Sequence, residues 1–136
     1  MNYWLLKSDP DDYGFEELEK DGQTTWQGVR NNQALMFLRE MRAGDHALIY
    51  HTGKEKQIVG VAEVVRGPYP DPEQVQSRLS VIDVKAAQRL KRPIPLTKIK
   101  EDEAFKTLHL VRMPRLSVMP VPAAAYRRLL KLGECA

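Results

Sequence analysis

The segment Trp26-Gln27-Gly28-Val29-Arg30-Asn31 gathers an aromatic face, a glycine, a guanidinium and a primary amide into consecutive positions. That set suits a planar, polar heterocycle: the indole stacks on the ring, the amide reads its edge, and the forked cation takes a carbonyl or phosphate oxygen. Other segments put polar groups where an apolar run stops. Lys7-Ser8-Asp9-Pro10 follows Tyr3-Trp4-Leu5-Leu6, and Tyr50-His51-Thr52 closes the run that starts at Ala47. Strand ends and the loops beyond them are where sites are built on a rigid scaffold. Arg115 leads into Leu116-Ser117-Val118-Met119-Pro120-Val121, where Pro120 restricts the strand to an edge or bulge with backbone groups free to pair with a ligand. Read singly, each segment has a plainer account. Trp26 fits a core residue ahead of a helix cap with Arg30 solvated, His51 a satisfied hairpin histidine, and residues 115–121 an ordinary edge strand.

Periodicity gives the elements that must position these groups. Tyr3 to Lys7 reads as a first strand, and Phe15 to Lys20 as a short acidic helix ended by Gly22. Asn31 or Asn32 caps a second helix, with Leu35, Leu38 and Met41 on one face and Gly44 after Arg42 as its C′ residue. The period then changes to two. His46 to Thr52 and Gln57 to Arg66 flank the turn Gly53-Lys54-Glu55-Lys56 as a hairpin. Gly67, Pro68, Pro70 and Pro72 read as a loop, and Leu79 to Ala87 as a fourth strand. Arg92-Pro93-Ile94-Pro95-Leu96 belongs to a sheet edge or a loop, because proline lacks the ladder donor. Leu116 to Val121 forms a last strand, after which Pro122 opens a helix as its N1 residue, burying Tyr126, Leu129 and Leu130 and stopping at Gly133. A tight turn between the central strands argues against a doubly wound parallel sheet. The expectation is an α+β domain, a small curled sheet or barrel with helices packed outside.

Composition narrows the function classes. A chain of 136 residues suits one hydrophobic core, so residues 1–136 are expected to form a single domain. No uncharged apolar run approaches a membrane span, and the N-terminus carries no basic leader, so no membrane partner is expected. Cys135 is the one cysteine, which excludes an internal disulfide and points to a cytoplasmic location. With His46, His51 and His109 as the remaining soft ligands, no zinc spacing exists, and neither a metal nor a cofactor is expected. The net charge of +3 is unevenly spread: residues 1–21 hold seven acids against Lys7 and Lys20, so the rest of the chain is strongly basic. Such polarity favours a polyanion on one side.

Together the segments resemble, in order and over the whole length, the EVE domain of the wider PUA-like group. The resemblance runs through Tyr3-Trp4-Leu5-Leu6-Lys7-Ser8-Asp9-Pro10, Trp26-Gln27-Gly28-Val29-Arg30-Asn31, Gly44-Asp45, Tyr50-His51, Ile58-Val59-Gly60-Val61, Tyr69-Pro70-Asp71 and residues 115–121. Blocks of that length at suitable spacing are far more specific than a lone short motif. The resemblance implies a PUA-like curled mixed β-barrel of five or six strands with flanking helices, and a pocket that takes in a modified base of DNA or RNA, as the related YTH domain does. Carried onto this chain, the base pocket comprises Ser8, Asp9, Trp26, Val29, Arg30, Asn31, Tyr50, His51, Leu116, Ser117 and Val118. Lys7, Lys54, Lys56 and Arg115 would hold phosphates. No catalysis is implied, and any effector activity would sit on a separate protein. Two positions depart from the family pattern: Asp9 stands where Glu usually follows Lys-Ser, and Gln27 where Asp often follows Trp. Two alternatives are carried. The related ASCH group includes amidohydrolases using a lysine, a hydroxyl and a carboxylate, which Lys7, Ser8 and Glu63 could imitate. A protein-interaction domain would use the proline-rich stretch from Pro68 to Pro72.

Overall fold

A computed structural model of the chain describes residues 1–134, so Cys135 and the compartment argument drawn from it lie outside the described residues. In chain order the elements are β1 (Tyr3–Ser8), α1 (Pro10–Tyr13), α2 (Phe15–Asp21), β2 (Gln23–Trp26), α3 (Asn32–Glu40), β3 (His46–His51), β4 (Gln57–Pro70), β5 (Ser80–Pro95), α4 (Leu96–Glu101), α5 (His109–Arg112), β6 (Val118–Val121) and α6 (Ala123–Leu132), with a 3-10 turn at Glu103–Phe105. The strands form one mixed sheet in the order β2-β5-β4-β3-β1-β6. Among the described residues only β1 and β3 pair in parallel, with Lys7 opposite Tyr50 and Ser8 opposite His51. Trp4, Leu5 and Leu6 of β1 and Ala47 to His51 of β3 are buried in unbroken runs, which requires cover on both faces of the sheet. Helices and loops supply that cover, and one contiguous apolar cluster extends from Trp4 to Leu129.

The sheet bends because β4 and β5 are long and irregularly paired. Their register shifts between Ile58 and Gly60, Val61 and Ala62, Val64 and Arg66, and Arg66 and Tyr69. Each such bulge adds local twist and turns the strand. Among the described residues the strand order is linear, with no β2–β6 pairing to close it, so the expected barrel is present as a bent, open six-stranded sheet. Gly67, at φ +108°, lies within one of the bulges; residues 67–70 therefore continue β4 instead of forming the expected loop. Arg92 to Pro95 lie in β5, but β2 covers only Ile82 to Lys85, so the prolines meet one neighbouring strand. Asn31 caps α3, its carboxamide oxygen accepting from Ala34 N–H at 3.0 Å. That helix ends earlier than the sequence pattern suggests, with Met41 as C-cap; Gly44, at φ +96°, instead makes the turn into β3. Pro122 is the N-cap of α6 and not its first residue, and Leu130 is half-buried where Tyr126 and Leu129 are buried.

Two buried carboxylates tie the frame. Asp45 accepts from Trp4 Nε1–H at 2.9 Å, Asn2 N–H at 3.1 Å and Arg42 N–H at 3.0 Å, joining the start of β1 to the end of α3. Asp83 accepts from Tyr69 Oη at 2.6 Å and Thr25 Oγ1 at 2.9 Å, joining β4, β5 and β2 beneath Trp26. Among the described residues no buried side-chain polar atom lacks a partner.

Candidate functional site

β1 and β2 are separated by three strands in the sheet, yet their ends face one cavity of about 340 Å³. Lys7 and Ser8 line it from β1, Asp9 from the cap of α1, Asp12 and Tyr13 from α1, and Thr24 to Trp26 from β2 with Gln27 just beyond. The bend of β4 and β5 is what brings the two edges round to each other. Trp26, half-buried against the core at the last position of β2, supplies the aromatic surface. Asp83 below holds Thr25, so the wall that carries Trp26 is fixed from inside the sheet.

Much of the polarity here is already committed to the scaffold. Ser8 Oγ donates to the Tyr13 carbonyl, and Tyr13 Oη donates to Asp21 at 2.8 Å. Burial, followed by the Asp21 hydrogen bond, raises the Tyr13 hydroxyl above its ordinary pKa. Asp9 caps α1, one carboxylate oxygen accepting from Asp11 N–H at 2.9 Å. Aspartate is a better N-cap than the longer glutamate, which gives Asp9 a local structural reason. Lys7 Nζ donates to the Pro114 carbonyl at 2.8 Å and lies 5.5 Å from the centre of the Tyr50 ring. Burial pushes the Lys7 ammonium below its ordinary value and the Tyr50 hydroxyl above it.

The remaining predicted residues divide among neighbouring hollows. Asn31, Arg115 and Leu116 line a second, with Pro114. Tyr50, Lys56 and Lys7 line a third, again with Pro114, together with Lys100, which the sequence reading did not single out. Lys7 thus borders the first and third hollows and Pro114 the second and third, and a hydrogen bond joins these two residues. Ser117 is adjacent, its carbonyl accepting from Lys7 N–H at 3.0 Å. Val29, Leu116 and Val118 are buried and belong to the apolar cluster. Arg30 is exposed and directed at Gln74, and Lys54 sits exposed in the β3–β4 turn, bordering none of these hollows.

His51 occupies a different place from the one the sequence suggested. It is 8% exposed; Nε2 accepts from Phe15 N–H at 3.0 Å and Nδ1 bonds Glu55 at 2.9 Å. Gly14, the N-cap of α2, has no side chain to satisfy that N–H, so the histidine caps the helix from another strand. Sequence reasoning also missed β2. The β-branched pair in Gln23-Thr24-Thr25-Trp26 was the available signal, and without that strand the contributions of Thr24 and Thr25 to the cavity were invisible.

Glu63 is not brought to Lys7 and Ser8. It lies opposite His46, at the level of Tyr3 in β1, and near Lys85 at 3.9 Å. Lys7 is four residues further along its strand, about 13 Å away at the rise of a β-strand. Among the described residues no group of three or more His, Cys, Asp or Glu is arranged to hold a metal, and no helix is long and apolar enough to cross a membrane.

A bent mixed sheet with a cavity between the ends of β1 and β2 defines a small α+β domain. The EVE domain profile matches residues 2–132, and the chain belongs to that family. Thymocyte nuclear protein 1 of Gallus gallus is 33% identical over 97% of this chain and 69% of its own length. The NMR structure of Rpa0253 from Rhodopseudomonas palustris is 36% identical and superposes with a TM-score of 0.94, covering 98% of this chain and 94% of that one. Human THYN1, in complex with 5-methylcytosine-containing DNA, is 29% identical with a TM-score of 0.91, covering 100% of this chain and 99% of that one. ASCH from Zymomonas mobilis, at 15% identity and a TM-score of 0.62, shares the fold alone.

Proposed function

We propose that this chain is a nucleic-acid-binding module that accepts a modified base of DNA or RNA in the Trp26 cavity and carries out no reaction on it. The observation that carries the reading is the cavity itself, in which one half-buried indole faces Ser8, Asp9 and Gln27 across the joined ends of β1 and β2. An unstacked base needs an aromatic face and fixed polar groups at its edge; here Trp26 packs against the core and Ser8 and Asp9 are held by hydrogen bonds to the scaffold. Asp9 and Asp12 are acceptors for an exocyclic amine, whereas the neighbouring hollow, lined by Lys7, Lys56 and Lys100 without a carboxylate, suits a phosphate. The human relative bound to 5-methylcytosine-containing DNA supports the same class of ligand. Against an amidohydrolase of the expected kind stand the distance of Glu63, which is not brought to Lys7 and Ser8, and the commitment of the Ser8 hydroxyl to the Tyr13 carbonyl. The bent sheet, though open, supports the PUA-like assignment, and residues 1–136 are read as one module. A nucleic-acid ligand also agrees with a cytoplasmic location.

The test is equilibrium binding of paired oligonucleotides that differ only in one modified base. Trp26→Ala should weaken the preferred modified form by about 1–3 kcal/mol, the worth of one base–aromatic stack, and abolish the preference. A cooperatively melting Trp26→Ala protein that keeps the preference would rule out the stacking role.

A further inference from the structure

The space between α3 and the start of β5 holds four arginines that the base cavity does not use. Arg78 Nη2 donates to the Arg30 carbonyl at 3.1 Å, and Arg39 donates through Nε to Ser80 Oγ at 3.1 Å and through Nη2 to the Arg78 carbonyl. Arg42 Nη1 donates to the Arg39 and Met41 carbonyls, each at 2.7 Å, and Arg30 Nη2 to Gln74 Oε1 at 3.3 Å. All four side chains belong to exposed residues, and every acceptor is neutral. Among the described residues none of the four pairs with a carboxylate, although Glu40 and Glu73 are close in sequence; all the ion pairs involve other cations.

Four guanidinium groups tethered along one ridge repel one another unless an anion joins them. Each tether uses one or two of the five N–H donors of its arginine, which fixes the fork and leaves the others to a ligand. A row of such forks matches a polymer with evenly spaced phosphates, because phosphate accepts a bidentate guanidinium as carboxylate does but repeats along the chain. The ridge also starts beside the cavity. Trp26 stands opposite Ile82, so Ser80 and Arg78 lie just past the Trp26 end of that ladder, and Arg30 follows Trp26 by four residues.

We infer that the ridge Arg30, Arg78, Arg39 and Arg42 holds the phosphodiester backbone of the nucleic acid whose base enters the Trp26 cavity; the inference rests on the proposed function for the identity of the polymer. It is tested with Arg39→Gln/Arg78→Gln in the full chain, measuring affinity for modified and unmodified oligonucleotides between 50 and 200 mM salt. Losing two phosphate contacts removes about 1.8 from the slope of log affinity against log salt, so the fourfold rise in salt should cost the variant about twelvefold less than the parent. The ratio of modified to unmodified affinity should not move. Should that pair fail to melt cooperatively, Arg30→Gln/Arg42→Gln reads the other half of the ridge. An unchanged slope in a folded variant, with Trp26→Ala still losing its preference, would overturn the ridge and leave the cavity reading intact. A reduced slope in a protein whose parent shows no base preference would uphold the ridge and overturn the cavity reading. Loss of poly-glutamate binding with oligonucleotide binding unaltered would make the ridge a surface for acidic protein and overturn the inference.

Discussion

Replacing His51 with alanine should lower stability and leave base preference intact. Because Nε2 accepts from Phe15 N–H, the ring proton is on Nδ1 and points at the Glu55 carboxylate. Alanine orphans the Phe15 N–H at the start of α2, and an unsatisfied buried donor costs about 1–3 kcal/mol. The Glu55 contact adds little, about 0–1 kcal/mol, because the acid side chain is 41% exposed. The void left where the imidazole lies close to Gly14 adds a further share of about 1 kcal/mol. A total near 3 kcal/mol should appear as a lower urea midpoint at unchanged m. The paired oligonucleotide assay should meanwhile return the parental ratio of modified to unmodified affinity. A His51→Ala protein with the parental midpoint and no base preference would show the histidine to be a reader of the base and the capping argument to be wrong.

Gly60 should resist even alanine: a Cβ there would stand 2.5 Å from Phe15 Cζ, and overpacking of that kind costs about 1–3 kcal/mol, measurable by chemical denaturation. A Gly60→Ala protein of parental stability would mean that Phe15 can repack. The hydrogen bond from His51 holds the Glu55 carboxyl below its ordinary value of 4.5, so its contribution to stability is present above that value and lost as pH falls through the lower folded one. Glu55→Gln should therefore flatten the acid limb of the stability–pH curve, and an unaltered limb would show that the pair contributes nothing there.

The segments with strong local signals were legible in the sequence. Asn31 caps α3 by its own side chain, the 53–56 turn joins two β-patterned runs, and Gly22 and Gly133 end their helices as read. Long-range geometry was not legible. Residues 67–70 look like a loop because Gly67 and its neighbouring prolines signal a break, yet pairing with β5 carries the strand through a bulge. The cavity depends on β2 turning toward β1, a consequence of those bulges that no local pattern encodes. His51 shows the same limit: a histidine at a strand end reads equally as a ligand contact or a cap, and only the position of Phe15 distinguishes them. The arginine ridge was hidden for a related reason, since its members are scattered from residue 30 to residue 78 and meet through backbone carbonyls.

The two tryptophans supply the most direct test of where the base goes. Trp4 is 4% exposed with its indole N–H bound to Asp45, whereas Trp26 is half-buried and faces the cavity. In a ¹⁵N-labelled sample titrated with an oligonucleotide carrying the preferred modified base, the Trp26 indole N–H resonance should shift strongly and the Trp4 resonance should stay in place. Binding that shifts other amides while leaving the Trp26 indole unmoved would contradict the account.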